Sequence, residues 1–237
     1  MAALAGCGGG KNETAPTTTT PATRTVRVYF LLHGKVQPVR RTVSETNDLP
    51  AAALAELVAG PTAAERKELG LVSVVQEIEG VVVSGSVAHV PAGFDHDSLA
   101  QIVYTLAQFS TVKRVEIAGK TSTRKDFQDE TPIILVESPL PFQRVTSPLH
   151  ATGTANTFEA TFQYDLVGPD GKLIKTHFVT ATSGTGTRGT FDFSVPFAVS
   201  RDGLGKLVVY ELSAADGSRI HQLEIPIRMT RTSADIR

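Results

Sequence analysis

Apolar residues change their spacing partway along the chain, and the change falls at Ser138–Leu166. Upstream of it they recur mostly at helical and mixed intervals. Downstream they alternate with a period of two. Phe158, Ala160, Phe162, Tyr164 and Leu166 share one parity, and Glu159, Thr161, Gln163 and Asp165 share the other. In a strand those parities are opposite faces. A one-residue slip would expose two Phe and a Leu, each contributing ~1.5–3 kcal/mol when buried, so the pattern predicts a fixed register across 158–167. Ser138-Pro139, Pro141 and Ser147-Pro148 punctuate the approach, where prolines start or edge strands.

The segment before this seam reads as strands mixed with helices. Val26, Val28, Phe30 and Leu32 alternate in a strand over Thr25–Leu32, with a hairpin partner at Val36–Val43. Pro50 opens a helix with Leu54, Leu57 and Val58 on one stripe and Asp48 as its cap, closed by Gly60-Pro61. Thr62-Ala63-Ala64-Glu65 has capping-box spacing, and the short helix it starts stops near Leu69-Gly70. Strand-like stretches follow at Leu71–Val75, Glu79–Ser84 and Ser86–Val90. Asp97-Ser98 is expected to cap a longer helix carrying Leu99, Ile102, Val103, Leu106 and Phe109 at helical spacing, and Thr111–Ile117 supplies a further strand. The order predicts an α+β domain over 24–120, with helices on one face of a mixed sheet. The polar stretch 121–131 reads as a linker.

Beyond it, the short apolar run Pro132–Val136 opens the domain 132–229, and strand candidates follow near Phe142–Val145, Leu149–Gly153, Phe158–Val167, Leu173–Ala181, Gly189–Val195, Lys206–Ser213 and Arg219–Arg228. Turn signals such as Gly168-Pro169-Asp170-Gly171 and Asp216-Gly217 separate them. About seven short strands in roughly 95 residues is the pattern of an all-β immunoglobulin-like sandwich. No Cys…Trp…Cys core is available, so aliphatic residues and Phe must fill it. Residues 230–237 form a polar tail.

Composition narrows the function classes. The chain has 237 residues, with 23 basic against 24 acidic side chains, a balance that gives no support to nucleic acid as a partner. Trp is absent, which argues against an aromatic-lined sugar groove. Cys7 is the one cysteine, so no disulfide forms within the chain. Leu4-Ala5-Gly6-Cys7 resembles the lipobox of bacterial lipoproteins, which implies lipid attachment at Cys7 and anchoring to the cell membrane, with two acyl chains giving the stability that one does not. Met1–Gly6 lacks the basic and apolar parts of a secretory signal, so this reading expects a leader encoded upstream; a chance match at a cytosolic N-terminus is the alternative. Gly8–Thr23 is Gly, Thr and Pro-rich without apolar periodicity, and as a coil it spans on the order of 20–25 Å. Residues 1–23 are therefore read as lipobox and tether.

Candidate chemistry is sparse. The six histidines show neither HxxxH nor HxH spacing, so no zinc site is expected. Asp95-His96-Asp97 is the densest polar trio and is explained by helix capping more simply than by a metal. Gly184-Thr185-Gly186-Thr187-Arg188-Gly189 matches G-x-G-x-x-G, but a strand rather than a helix follows, so a flexible hairpin loop is expected in place of a phosphate cradle. No nucleophile elbow or S-x-x-K pattern occurs, and no cofactor is implied. Asn156, in the approach to a strand, and Glu159, on its outward face, are the candidates for a contact surface; the plain alternative is a solvated face.

Gly60-Pro61-Thr62 with Glu65, Gly70-Leu71, Ser73, Ile102–Phe109, Val112, Val115 and Ile117 together resemble the sporulation and spore germination (GerMN) domain. Ser147-Pro148-Leu149, Gly153–Ala160 and Ser213–Ser218 resemble the immunoglobulin-like domain of bacterial spore germination proteins. The two resemblances cover about four fifths of the chain. They imply a ring-building type of α+β fold followed by a sandwich, in an exported or surface-anchored, non-catalytic protein that binds or scaffolds an envelope protein or cell-wall polymer. A small-molecule sensor for a germinant or solute, and a wall-acting enzyme, are the rival readings. A sensor predicts an apolar pocket between the domains.

Overall fold

The first alternation closes on itself as a hairpin. In the computed structural model, which describes residues 22–231, β1 (Thr23–Leu32) and β2 (Lys35–Ser44) pair antiparallel with Leu32 opposite Lys35. His33 and Gly34 make the turn at φ of 51° and 74°, the twist that suits a two-residue hairpin loop. The two short helices carry the expected caps. Asp48 accepts from the Ala51 N–H at 3.1 Å to start α1 (Leu49–Ala59). Thr62 and Glu65 exchange both capping-box bonds, at 3.2 and 2.8 Å, to start α2 (Ala63–Leu69). Glu65 also takes a two-pronged ion pair from Arg41 of β2 (2.8 and 2.7 Å), which ties the box to the hairpin.

Strands β3 (Val82–Ser84), β4 (Val87–Val90), β5 (Arg114–Ile117) and β6 (Lys120–Ser122) form a mixed sheet in chain order, with β4 and β5 parallel. The crossover between them is α3 (His96–Leu106), capped by Asp95 rather than by Asp97-Ser98: Asp95 Oδ1 accepts from the Ser98 N–H at 2.8 Å. One face of α3, with the turn just after it, substitutes for a neighbouring strand. Gln108 exchanges two bonds with the backbone of Arg27, Thr105 Oγ1 accepts from the Tyr29 N–H (3.2 Å), and Gln101 Nε2 donates to the Tyr29 carbonyl (3.1 Å). Leu31 continues the edge by pairing with Val72 at 2.8 and 2.9 Å. The strand expected at Leu71–Val75 is reduced to that one bridge, because Gln101 Oε1 takes the next free donor, the Val74 N–H. Gln101 and Thr105 are fully buried, and every free β1 edge group from Arg27 to Leu31 is thereby satisfied.

Residues 121–131 are not a free linker. Lys120–Ser122 extends the first sheet, and Arg124–Phe127 forms a 3-10 turn capped by Thr123 and Asp126 that drives Phe127 into the first core. Charge misled the reading here, because Arg124 finds partners inside the fold while Asp126 is spent on capping its own turn.

The remaining strands are β7 (Ile134–Ser138), β8 (Arg144–Val145), β9 (Leu149–Ala155), β10 (Thr161–Val167), β11 (Leu173–Thr180), β12 (Gly189–Val195), β13 (Gly203–Leu212) and β14 (Arg219–Met229). They build two sheets, β11-β10-β13-β14-β8 and β12-β9-β7, whose inner faces make an immunoglobulin-like core. Phe162 packs edge-on against Phe191, and Tyr164 stacks on Phe193, at 4.9 and 4.7 Å between ring centres. The parity predicted for Phe162, Tyr164 and Leu166 holds, since all three are buried. The strand starts late, however. Glu159 and Ala160 sit at φ of 51° and 57°, so Phe158–Ala160 is a turn and Phe158 is exposed. Asp165, expected on the solvated face, is buried. It accepts from Thr176 (2.6 Å) and Tyr210 (3.2 Å) and pairs with Arg219 (2.8 Å), whose guanidinium covers the Tyr210 ring.

Candidate functional site

The two bodies meet through a half-buried polar junction. Tyr29 of β1 donates to Glu137 Oε1 of β7 at 2.5 Å, and Arg124 pairs with the same oxygen at 2.8 Å. The Arg124 guanidinium also lies against the rings of Tyr29 and Tyr104, 5.3 and 4.7 Å from their centres. Tyr104 is bonded to Thr131 at 2.6 Å, and Leu135 of β7 packs into the first core. Burial alone would raise the Glu137 carboxyl; Arg124 and the Tyr29 hydroxyl outweigh it and hold the group below its ordinary value. Burial, opposed by Arg124 and reinforced by Glu137, pushes the Tyr29 phenol upward, so it stays a donor.

Arg188 closes the other side. It lies in the Gly-rich loop between β11 and β12 and donates to Gln128 Oε1 and the Pro132 carbonyl, both at 2.9 Å, and to Thr154 Oγ1 at 3.3 Å. The loop is therefore pinned, not flexible. Gly184 passes so close to the 157–160 turn that a Cβ there would meet the Thr157 carbonyl at 2.4 Å. Asn156 Oδ1 accepts from the Gly186 N–H at 2.9 Å, and the Glu159 N–H donates to Thr185 Oγ1 at 3.1 Å. Asn156 thus holds a loop. The Glu159 side chain is exposed on a turn, not on the outward face of a strand. As the sequence indicated, β12 and not a helix follows the G-x-G-x-x-G match.

With the bodies so joined, a cleft of about 420 Å³ opens between them. The hairpin supplies His33, Lys35, Val36 and Gln37, and the segment before β7 supplies Asp129, Pro132 and Ile133. The third wall is His221 and Leu223, where β14 bulges against β13 and His221 adopts a φ of 54°. Gln37 is only 3 % exposed; its Nε2 donates to the adjacent Pro38 carbonyl and its Oε1 has no partner among the described residues. Sequence reasoning missed these residues. The His-Gly turn between two alternating runs was the available signal for the hairpin wall, but the other walls lie about a hundred and two hundred positions further along.

Elsewhere, His96 sits 3.2 Å from Glu130 Oε2 with its ring against Phe127. Among the described residues no three His, Cys, Asp or Glu side chains converge as a metal site would require. No described helix is long and apolar enough to cross a membrane. Cys7 lies outside the described residues.

Fold and junction define a two-domain protein, α+β followed by an immunoglobulin-like sandwich. Comparison with known families assigns both parts. The family model for sporulation and spore germination matches residues 27–120, and the immunoglobulin-like domain of bacterial spore germination matches residues 133–218. The chain therefore pairs two domains linked to sporulation and spore germination. No curated protein matches it.

Proposed function

We propose that the chain is a non-catalytic, lipid-anchored extracytoplasmic protein that binds or scaffolds cell-envelope components, either a protein partner or a cell-wall polymer. One observation carries this reading: two germination-linked domains are tied together by the Tyr29–Arg124–Glu137 junction, which gives a continuous body suited to holding a partner. The lipobox-like Leu4–Cys7 and the Thr/Pro stretch after it supply the anchor and the spacer. Expressed with its natural leader, the protein should fractionate with membranes, carry acyl label at Cys7, and be released by Cys7→Ser. Recovery in the cytosol with an unmodified Cys7 sinks the anchoring reading. Turnover of purified peptidoglycan that is lost on substituting a carboxylate or histidine would instead make it an enzyme.

The interdomain cleft favours a second reading, a small-molecule sensor on the same anchor. Its volume lies in the lower part of the ~300–1,000 Å³ range of ligand pockets, and Val36, Pro132, Ile133 and Leu223 give it an apolar lining. A ligand-dependent rise in melting temperature supports this reading; no shift with any member of a broad metabolite panel removes it.

A further inference from the structure

The cleft brings opposite charges together without letting them neutralise each other. Lys35 Nζ donates to the backbone carbonyl of Asp129, not to its carboxylate, and the Asp129 carboxylate has no ion pair or hydrogen bond among the described residues. His33, beside Lys35 on the rim, is also without a side-chain partner among them. Below the rim, Gln37 Oε1 has no partner among the described residues and is still reached by solvent, which leaves it a free acceptor although the residue as a whole is buried. The cleft thus offers a cationic donor, an anionic acceptor, a neutral acceptor and an apolar wall within one small volume.

We propose that the cleft binds the zwitterionic head of an α-amino acid with an apolar side chain. This rests on the sensor reading of the same cleft and names its ligand class. Lys35, with His33, takes the carboxylate. Asp129 and Gln37 Oε1 take the ammonium, and the side chain lies on Pro132, Ile133 and Leu223. A free amino acid and the N-terminal residue of a short peptide share the ammonium and the side chain, but only the free acid carries its carboxylate on the same carbon.

Titration calorimetry on the full chain tests this with leucine, leucinamide, N-acetyl-leucine and the dipeptide Leu-Gly. Leucine should bind at least about tenfold more tightly than the amide or the acetyl derivative. Lys35→Gln should weaken leucine about tenfold while leaving leucinamide unchanged, and Asp129→Asn should do the same to leucine while sparing N-acetyl-leucine. Both positions are exposed, and unchanged melting curves without ligand show that the variants fold. Tighter binding of Leu-Gly than of leucine assigns the site to peptide ends and overturns the free amino acid as occupant. Equal binding of leucine and its two blocked forms, or no binding by any of the four, overturns the proposal. In the latter case, a metabolite-panel hit that Ile133→Trp blocks leaves the sensor reading standing, and the absence of any hit removes both.

Discussion

Replacing Glu137 by Leu should uncouple the two domains. The carboxylate takes Tyr29 Oη at 2.5 Å and Arg124 at 2.8 Å through one oxygen, so its loss strands a phenol and a guanidinium together. Removing one partner of a fully buried ion pair costs ~3–5 kcal/mol. The Arg124 and Glu137 side chains are 26 % and 17 % exposed, so water recovers part of that, and a cost of about 2–3 kcal/mol is expected. Urea denaturation followed by circular dichroism reads it. The wild type should unfold in one transition, and Glu137→Leu should lower the midpoint and split the transition in two. Adding Arg124→Met should recover at least about 1 kcal/mol, because the stranded cation is gone. A loss below about 0.5 kcal/mol, or strictly additive single and double variants, would refute the junction as the coupling element. The pH dependence has a definite sign. Glu137 titrates lower in the folded protein than its unfolded value of ~4.3. Its contribution is therefore complete above that unfolded value and lost as pH falls through the folded one. Glu137→Gln should flatten the acid limb of the stability curve.

Three further outcomes follow from single contacts. Gln101→Leu orphans the Tyr29 carbonyl and the Val74 N–H, and at ~1–3 kcal/mol per buried group it should cost roughly 2–4 kcal/mol in urea denaturation. Gly184→Ala forces the loop off the Thr157 carbonyl and should cost about 1–3 kcal/mol by the same assay. Phe158→Ser should change stability by no more than about 0.5 kcal/mol because the ring is exposed; a loss of ~3 kcal/mol would restore the strand reading of 158–160.

What was legible in the chain was local. The Asp48 cap, the Thr62–Glu65 box and the alternation through Phe162, Tyr164 and Leu166 each depend on neighbours a few positions away. Gln101, Thr105 and Gln108 were invisible for the opposite reason. Polar residues on a helix and just past its end read as a wet face, yet their partners are backbone groups of β1 more than seventy residues earlier. Asp165 misled in the same way, since Arg219 and Tyr210 arrive from distant strands to bury it. Glu159 and Ala160 carry no residue signal for positive φ, and the neighbouring loop that meets them is fixed by Gly184. Asn156 lies between the end of β9 and the turn that leads into β10, and its bond to Gly186 lies thirty residues ahead. The cleft could not be read at all, because three separated segments create it only once Arg124, Glu137 and Arg188 have joined the domains.

A preformed cleft requires a fixed angle between the domains, and pulsed electron–electron spin resonance measures that directly. Spin labels at Lys67→Cys on α2 and Lys175→Cys on β11, both exposed, in a Cys7→Ser background, should give one narrow distance distribution. Glu137→Leu should broaden it. A wild-type distribution already as broad as that of the variant would contradict a locked junction and the cleft that depends on it.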